Sequence, residues 1–218
     1  MGFEQSFKDA LTCLPIGGAK GGCDFDPRGK SDGEIMRFCQ AFMTELQRHI
    51  GSDIDCPAGD IGVGGREIGY LYGQYRRIKG AAEFGAVTGK SMATGGSVLR
   101  PEATGYGSVY YLNEVLKHDG ETIEGKKIAV SGCGNAAWGI MKKAAQLGAK
   151  VTYFSGRKGY VYDPEGVVTE EKLNFILNMH SEGPDYLERY AAKFGAQFVQ
   201  GKKCWGVKDV DIYMPAAT

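Results

Sequence analysis

Apolar residues recur at three- and four-residue intervals from Ile35 through Phe38, Cys39, Phe42, Met43, Leu46 and Ile50. That period puts one face of an α-helix against a core. Ser31 and Glu34 stand at capping-box spacing and Gly51 suits a stop, so the pattern predicts a helix over 31–51. REIGYLYGQYRRIKG predicts a second helix over 66–80, and RPEATGYGSVYYLNEVLKH a third that starts near Thr104. From 126 to 156 the pattern becomes an apolar run (KIAV), a glycine turn, a helix and a second apolar run (KVTYF). That is strand, turn, helix, strand. Thr169 caps a helix expected over 169–180, another helical segment lies near 184–194, and DVDIYMP predicts a last strand. Lys8, in the amphipathic start, is expected in a strand.

Composition adds one unusual feature. The 218 residues include 34 glycines, gathered near 17–22, 59–69, 80–96, 105–107 and 132–139 without a repeat. Glycine loops between well-patterned helices suit a backbone that must approach a ligand closely. Acidic and basic residues balance at 26 each, which offers nucleic acid or an anionic membrane no electrostatic hold. No apolar run nears the roughly 20 residues of a bilayer span. The start is not a signal peptide, so a cytoplasmic location is expected. Cys13, Cys23, Cys39, Cys56, Cys133 and Cys204 form no C-x-x-C pair and read as reduced thiols; with three isolated histidines, no metal site is expected.

Gly132-x-Gly134-x-x-Ala137 follows the strand KIAV and opens a helix. In that setting the first glycine makes a tight turn, the second admits a pyrophosphate, and the alanine keeps helix close to strand. The helix start then holds phosphates with free N–H groups. The alternative is a ligand-free turn. An acid about 20 residues on would bind the ribose hydroxyls of NAD. The second strand instead ends in Ser155-Gly156-Arg157-Lys158, which favours the 2′-phosphate of NADP, with NAD the alternative and a solvated loop pair the plain reading. GKS at 29–31 and 89–91 lacks the upstream glycine of a P-loop, and DFDPRGKSDGEI lacks the last acid of a calcium loop.

PIGGAKGG surrounds Lys20 with four glycines, and Lys8 lies twelve residues earlier. An amine serves as a base near neutral pH only when desolvation or a neighbouring cation lowers its pKa. Two lysines drawn to one pocket would do that and would attract a carboxylate. Asp60, in PAGDIG, is a second glycine-flanked ionisable group able to relay protons. From spacing alone, a surface lysine in a flexible loop is the simpler explanation of the segment.

LPIGGAKGG, PAGDIGVGGREIGYLYGQYRRI, RPEATGYGSVYY, GCGNAAWG and VDIYMPAAT together resemble the glutamate dehydrogenases, specifically the small hexameric type of bacteria and protists. The likeness runs over essentially the whole chain, in order and with matching spacing.

The resemblance implies an α/β protein with part of a substrate and assembly domain over 1–97 and a Rossmann-type dinucleotide-binding domain over 98–218. The active site would lie in the cleft between them. Lys20 would be catalytic, Asp60 would transfer protons, Lys8 would grip the substrate α-carboxylate, and Gln5 and Gly59 would line the substrate. Thr104 and Asn135 would touch the cofactor, beside Gly132, Gly134, Ser155, Arg157 and Lys158. The reaction would be reversible deamination of L-glutamate to 2-oxoglutarate and ammonia, in a homohexamer. The family's segments before and after this chain carry a lysine and a serine of the side-chain pocket. The chain is therefore expected to be an internal fragment, non-catalytic as it stands, and a leucine- or phenylalanine-type specificity stays open.

Overall fold

The computed structural model describes residues 2–98, 101–181 and 187–217. Of the expected elements, Arg100, the start of the segment near 184 and Thr218 lie outside them. The chain divides into two compact units, Met1–Leu99 and Arg100–Thr218.

The described part of the first unit is helical: α1 (Gly2–Ala10), α2 (Asp32–Leu46) and α3 (Gly65–Lys79), with 3₁₀ turns at Phe84–Ala86 and Met92–Thr94. Ser31 and Glu34 form the expected capping box. Ile35, Cys39 and Met43 of α2 pack on Ile68, Leu71, Tyr72 and Tyr75 of α3, with Ala86 and Val87 closing the cluster. Arg66 ties the two helix starts together, donating to Glu67 on α3 and reaching Asp32 on α2 at 2.6 Å. Helix α2 ends before Gly51. The chain turns away after Leu46 so that Ile50, 4% exposed, enters the core and bridges to Asp55.

Lys8 is not in a strand; it lies on α1. Helical spacing explains why. Phe3 and Phe7 meet edge to face with ring centroids 4.9 Å apart, and Gln5 donates to Asp9 one turn on. Ser6 Oγ donates to the Gly2 carbonyl four residues back. All three contacts need an i, i+4 neighbour, which a strand does not supply.

The second unit is a five-stranded sheet in the order β4-β3-β2-β1-β5 with helices packed on it. Its elements are α4 (Ala103–His118), β1 (Lys127–Ser131), α5 (Asn135–Gln146), β2 (Lys150–Ser155), β3 (Gly159–Tyr162), α6 (Glu170–Ser181), α7 (Leu187–Phe194), β4 (Gln197–Gln200) and β5 (Ile212–Pro215). β5, β1 and β2 run parallel, and β1 crosses to β2 through α5, the arrangement of a nucleotide-binding half. β3 and β4, which no expectation covered, extend the sheet antiparallel. The β2–β3 turn is only Gly156–Gly159, closed by a Gly156 N–H to Gly159 carbonyl bond of 2.9 Å. So short a connection can only return the chain antiparallel.

The core of this unit is apolar and lies between sheet and helices. Ile128, Val130, Val151 and Phe154 of the sheet meet Ile140, Met141, Ile176 and Tyr190 of the helices. One polar node sits within it: Asp163, after β3, accepts from Lys172 Nζ on α6 and Tyr190 OH on α7, each at 2.7 Å. Burial, reinforced by that bond to Asp163, pushes the Tyr190 hydroxyl far above its ordinary pKa.

Candidate active site

In the first unit, α1 and the glycine loop after it converge on one another. A Cβ at Gly18 would lie 2.4 Å from the Gln5 carbonyl carbon and 2.4 Å from the Ser6 nitrogen, so only a glycine lets the loop rest on the helix backbone. Ser6 Oγ donates to the Gly18 carbonyl at 3.3 Å and fastens the contact. Gly17, Gly21 and Gly22 differ: a Cβ on any of them would meet nothing within 4 Å. Chain packing therefore accounts for one of the four glycines around Lys20.

Lys20 Nζ pairs with Asp60 Oδ2 across forty residues of sequence. Asp60 is held from its other side as well. The Ile61 N–H donates to Oδ1 at 2.9 Å, and a tight Asp60–Val63 turn carries reciprocal backbone bonds of 3.1 and 2.9 Å. Gly62 supplies the left-handed residue of that turn, φ +73°, and a Cβ on Gly59 would stand 2.9 Å from the Val63 carbonyl. The hydrogen bond from Lys20 holds the Asp60 carboxyl below its usual range; partial burial opposes it, while the Ile61 N–H and the charges of Lys20 and Lys8 lower it further. Lys8 and Gln5 thus lie on the helix that carries the loop, and the Lys8 charge is felt at Asp60. Lys8 is exposed, and Gln5 is half-buried with its amide turned to Asp9.

In the second unit the glycine turn leads from β1 into the start of α5. Gly132 sits at φ +103°, and a Cβ there would come within 2.9 Å of the Ala217 side chain. Gly134 is the extended N-cap of α5, and no side chain caps that helix. Its first N–H groups and the positive end of its dipole face away from the helix as an anion site does. The residues present fit the diphosphate of a dinucleotide. Asn135 is the exposed first residue of α5. Thr104 is exposed in the first turn of α4, beside Gly105, whose missing Cβ would fall 2.3 Å from the Ala136 carbonyl. The two helix starts are thereby brought side by side.

Ser155 ends β2, but its hydroxyl is turned inward: the residue is 3% exposed and Oγ accepts from Cys204 Sγ at 3.5 Å. Arg157 and Lys158 are exposed in the β2–β3 turn. Ser131, which sequence reasoning passed over, is the pin behind the glycine turn. It is buried, and its Oγ accepts from the Ala216 N–H at 3.1 Å. A serine at the end of an apolar strand, just before G-x-G, was the available signal. Among the described residues, no group of three or more His, Cys, Asp or Glu side chains is placed to hold a metal ion.

Residues 95–218 match the model of the Glutamate/Leucine/Phenylalanine/Valine dehydrogenases, and residues 1–77 match the Glu/Leu/Phe/Val dehydrogenase dimerisation domain. The chain belongs to this dehydrogenase family. Among curated relatives of the family, the NAD-specific glutamate dehydrogenase of Clostridium symbiosum is 63% identical over 218 residues, which are 100% of this chain and 48% of that protein. The NADP-specific glutamate dehydrogenase of Haemophilus influenzae is 52% identical, again over 100% of this chain and 48% of its own. A solved glutamate dehydrogenase is 64% identical with a TM-score of 0.95, covering 100% of this chain and 48% of that one. The chain spans about half the length of the curated relatives it matches.

Proposed function

We propose that the complete protein is a glutamate dehydrogenase that reversibly converts L-glutamate to 2-oxoglutarate and ammonia with a nicotinamide dinucleotide. The observation that carries this reading is the Lys20–Asp60 pair, made by a loop seated on the helix that bears Gln5 and Lys8. A dinucleotide held by the glycine turn would supply the acceptor for the hydride of the substrate Cα. Lys8 Nζ orients the substrate through its α-carboxylate, with Gln5 and Gly59 as further substrate contacts. Lys20 Nζ holds the water that adds to the resulting imine carbon and stabilises the oxygen as charge develops on it, a preorganised electrostatic role. Asp60 Oδ2, already bonded to Lys20 Nζ, moves the proton that ammonia carries away.

Gly132, Gly134, Asn135 and Thr104 are the residues proposed to hold the dinucleotide. The finer choice is NADP. β2 ends in a buried serine with no acid beside it, and Arg157 and Lys158 follow in an exposed turn. The dimerisation-domain match supports assembly, proposed as a homohexamer in the cytoplasm.

In the full-length enzyme, Lys20→Ala and Asp60→Asn are each expected to abolish most glutamate turnover while dinucleotide affinity stays near wild type. Near-normal kcat in either variant refutes the roles given to this pair. Arg157→Ala combined with Lys158→Ala is expected to lower kcat/KM for NADPH more than for NADH; equal losses reject the 2′-phosphate site. A turnover panel of glutamate, leucine and phenylalanine separates the substrate classes within the family.

A further inference from the structure

Lys90, the lysine of the second G-K-S triplet, is buried, with 5% of its surface exposed. Long amine side chains are almost never this buried without a carboxylate partner. Among the described residues none pairs with it. Its Nζ donates instead to two backbone carbonyls of its own loop, that of Phe84 at 2.7 Å and that of Val87, and lies 5.1 Å over the ring of Tyr72 on α3. A buried amine bonded to carbonyls winds the segment 84–90 into one shape and fastens it to the helix beneath.

What that segment touches gives the lysine its meaning. The Thr88 N–H donates to the Pro57 carbonyl at 2.9 Å. Gly89, at φ +82°, turns the chain so that a Cβ on it would come within 4.0 Å of the Gly59 nitrogen. Pro57 and Gly59 are the residues that lead into Asp60. The chain of contacts therefore runs from Lys90, through the Phe84 and Val87 carbonyls and Thr88, to the backbone that aims Asp60 at Lys20. We propose that Lys90 is a positioning residue for Asp60, acting through the 84–90 loop rather than on substrate. This rests on the proposed dehydrogenase reading only for its kinetic consequence.

The test uses the full-length enzyme and two readouts. Lys90→Met keeps the length of the side chain and removes its donors. Hydrogen exchange is expected to speed up at least tenfold in the peptides holding the Thr88 and Asp60 amides, while amides of α5 and β1 keep wild-type protection. Turnover of glutamate is expected to fall at least tenfold in kcat, and Lys90→Arg, which can still donate to both carbonyls, to recover most of that loss. Gly89→Ala strains the same loop without touching the lysine and is expected to reproduce both effects, so the question remains open to decision if Lys90→Met does not fold. Unchanged exchange at Thr88 and Asp60 in folded variants overturns the proposal, as does wild-type kcat in folded Lys90→Met. Exchange changes as expected in the variants, together with a wild-type enzyme that never turns over glutamate, leave the positioning role standing and refute the dehydrogenase reading instead.

Discussion

Gly105 on α4 and Gly139 on α5 stand back to back where the two helices cross. A Cβ on Gly139 would lie 3.1 Å from the Gly105 Cα and 2.7 Å from the Glu102 carbonyl oxygen. A Cβ on Gly105 would fall 2.3 Å from the Ala136 carbonyl and 2.4 Å from the Ile140 nitrogen. Backbone packs on backbone here, and that contact sets the α4 start, with Thr104, beside the α5 start, with Asn135.

Gly105→Ala is therefore expected to destabilise the second unit by about 3 kcal/mol, the upper range for overpacking, because backbone cannot step aside as a side chain can. Gly73, exposed in α3 with nothing within 4 Å of a Cβ, is the control. Gly73→Ala should stabilise by up to about 1 kcal/mol through helix propensity alone. Denaturant midpoints at constant m-value measure both; equal effects of the two alanines contradict the close crossing.

The Asp60 carboxyl titrates below the ordinary aspartate value of 3.8 in the folded protein, chiefly because Lys20 donates to it. The unfolded chain then binds more protons than the folded one between the two values, so stability rises with pH there. The pair contributes fully above pH 3.8 and is lost as pH falls through the folded value. Both side chains are partly exposed, so the contribution is small. A ¹³C titration of the Asp60 carboxyl should give a midpoint under 3.8, and Lys20→Met should move it upward. A wild-type midpoint at or above the ordinary value rules the pairing out.

Asp163 is buried and joins β3 to α6 and α7 through Lys172 and Tyr190. Asp163→Ala leaves the Tyr190 phenol without its acceptor and the Lys172 amine with only the Gly166 carbonyl in place of a carboxylate, an effect of about 3–5 kcal/mol for a broken buried pair. Tyr190→Phe removes one neutral partner and should lose about 1 kcal/mol. Chemical denaturation followed by the fluorescence of Trp138, which donates to the Leu173 carbonyl of α6, reads out both. A loss under 1 kcal/mol for Asp163→Ala, on that same scale, would mean the node is solvated.

Gly18 and Gly21 lie on either side of Lys20 but are expected to fail differently. Gly18→Ala drives a methyl into the backbone of α1 and should lower both thermal stability and turnover. Gly21→Ala meets nothing within 4 Å of the chain itself and should keep the wild-type melting temperature. Any loss of turnover in Gly21→Ala then reports on a ligand approaching the loop. A drop in melting temperature for Gly21→Ala would show that the loop is packed differently.

Helices were the legible part of the sequence. The Ile35–Met43 periodicity, the Ser31–Glu34 cap and the strand–glycine–helix order around Gly132 are all local, and each begins within two residues of its expected place, although α2 stops at Leu46, short of Gly51. β3 and β4 were not legible, since Tyr160–Tyr162 and Phe198–Val199 are too short to show a period and gain strand character only by pairing. Lys8 was misjudged because one turn of apolar residues fits either period until i, i+4 contacts are seen. Lys20 and Asp60 could be nominated as a site from their glycine neighbours, and Ser131 offered only its place before G-x-G, but Lys90 could not be nominated, because what marks it is burial and hydrogen bonding.

By itself the sequence determined which residue types could do chemistry and where helices α2 to α5 begin, since residue type and helical period are properties of neighbours in the chain. Only the tertiary structure decided that Lys20 meets Asp60 forty residues away, that Gly18 is the glycine packing demands, and that the sheet turns antiparallel after β2. Those outcomes rest on contacts between distant segments, whose distances and excluded volumes are set by how the whole chain fills space.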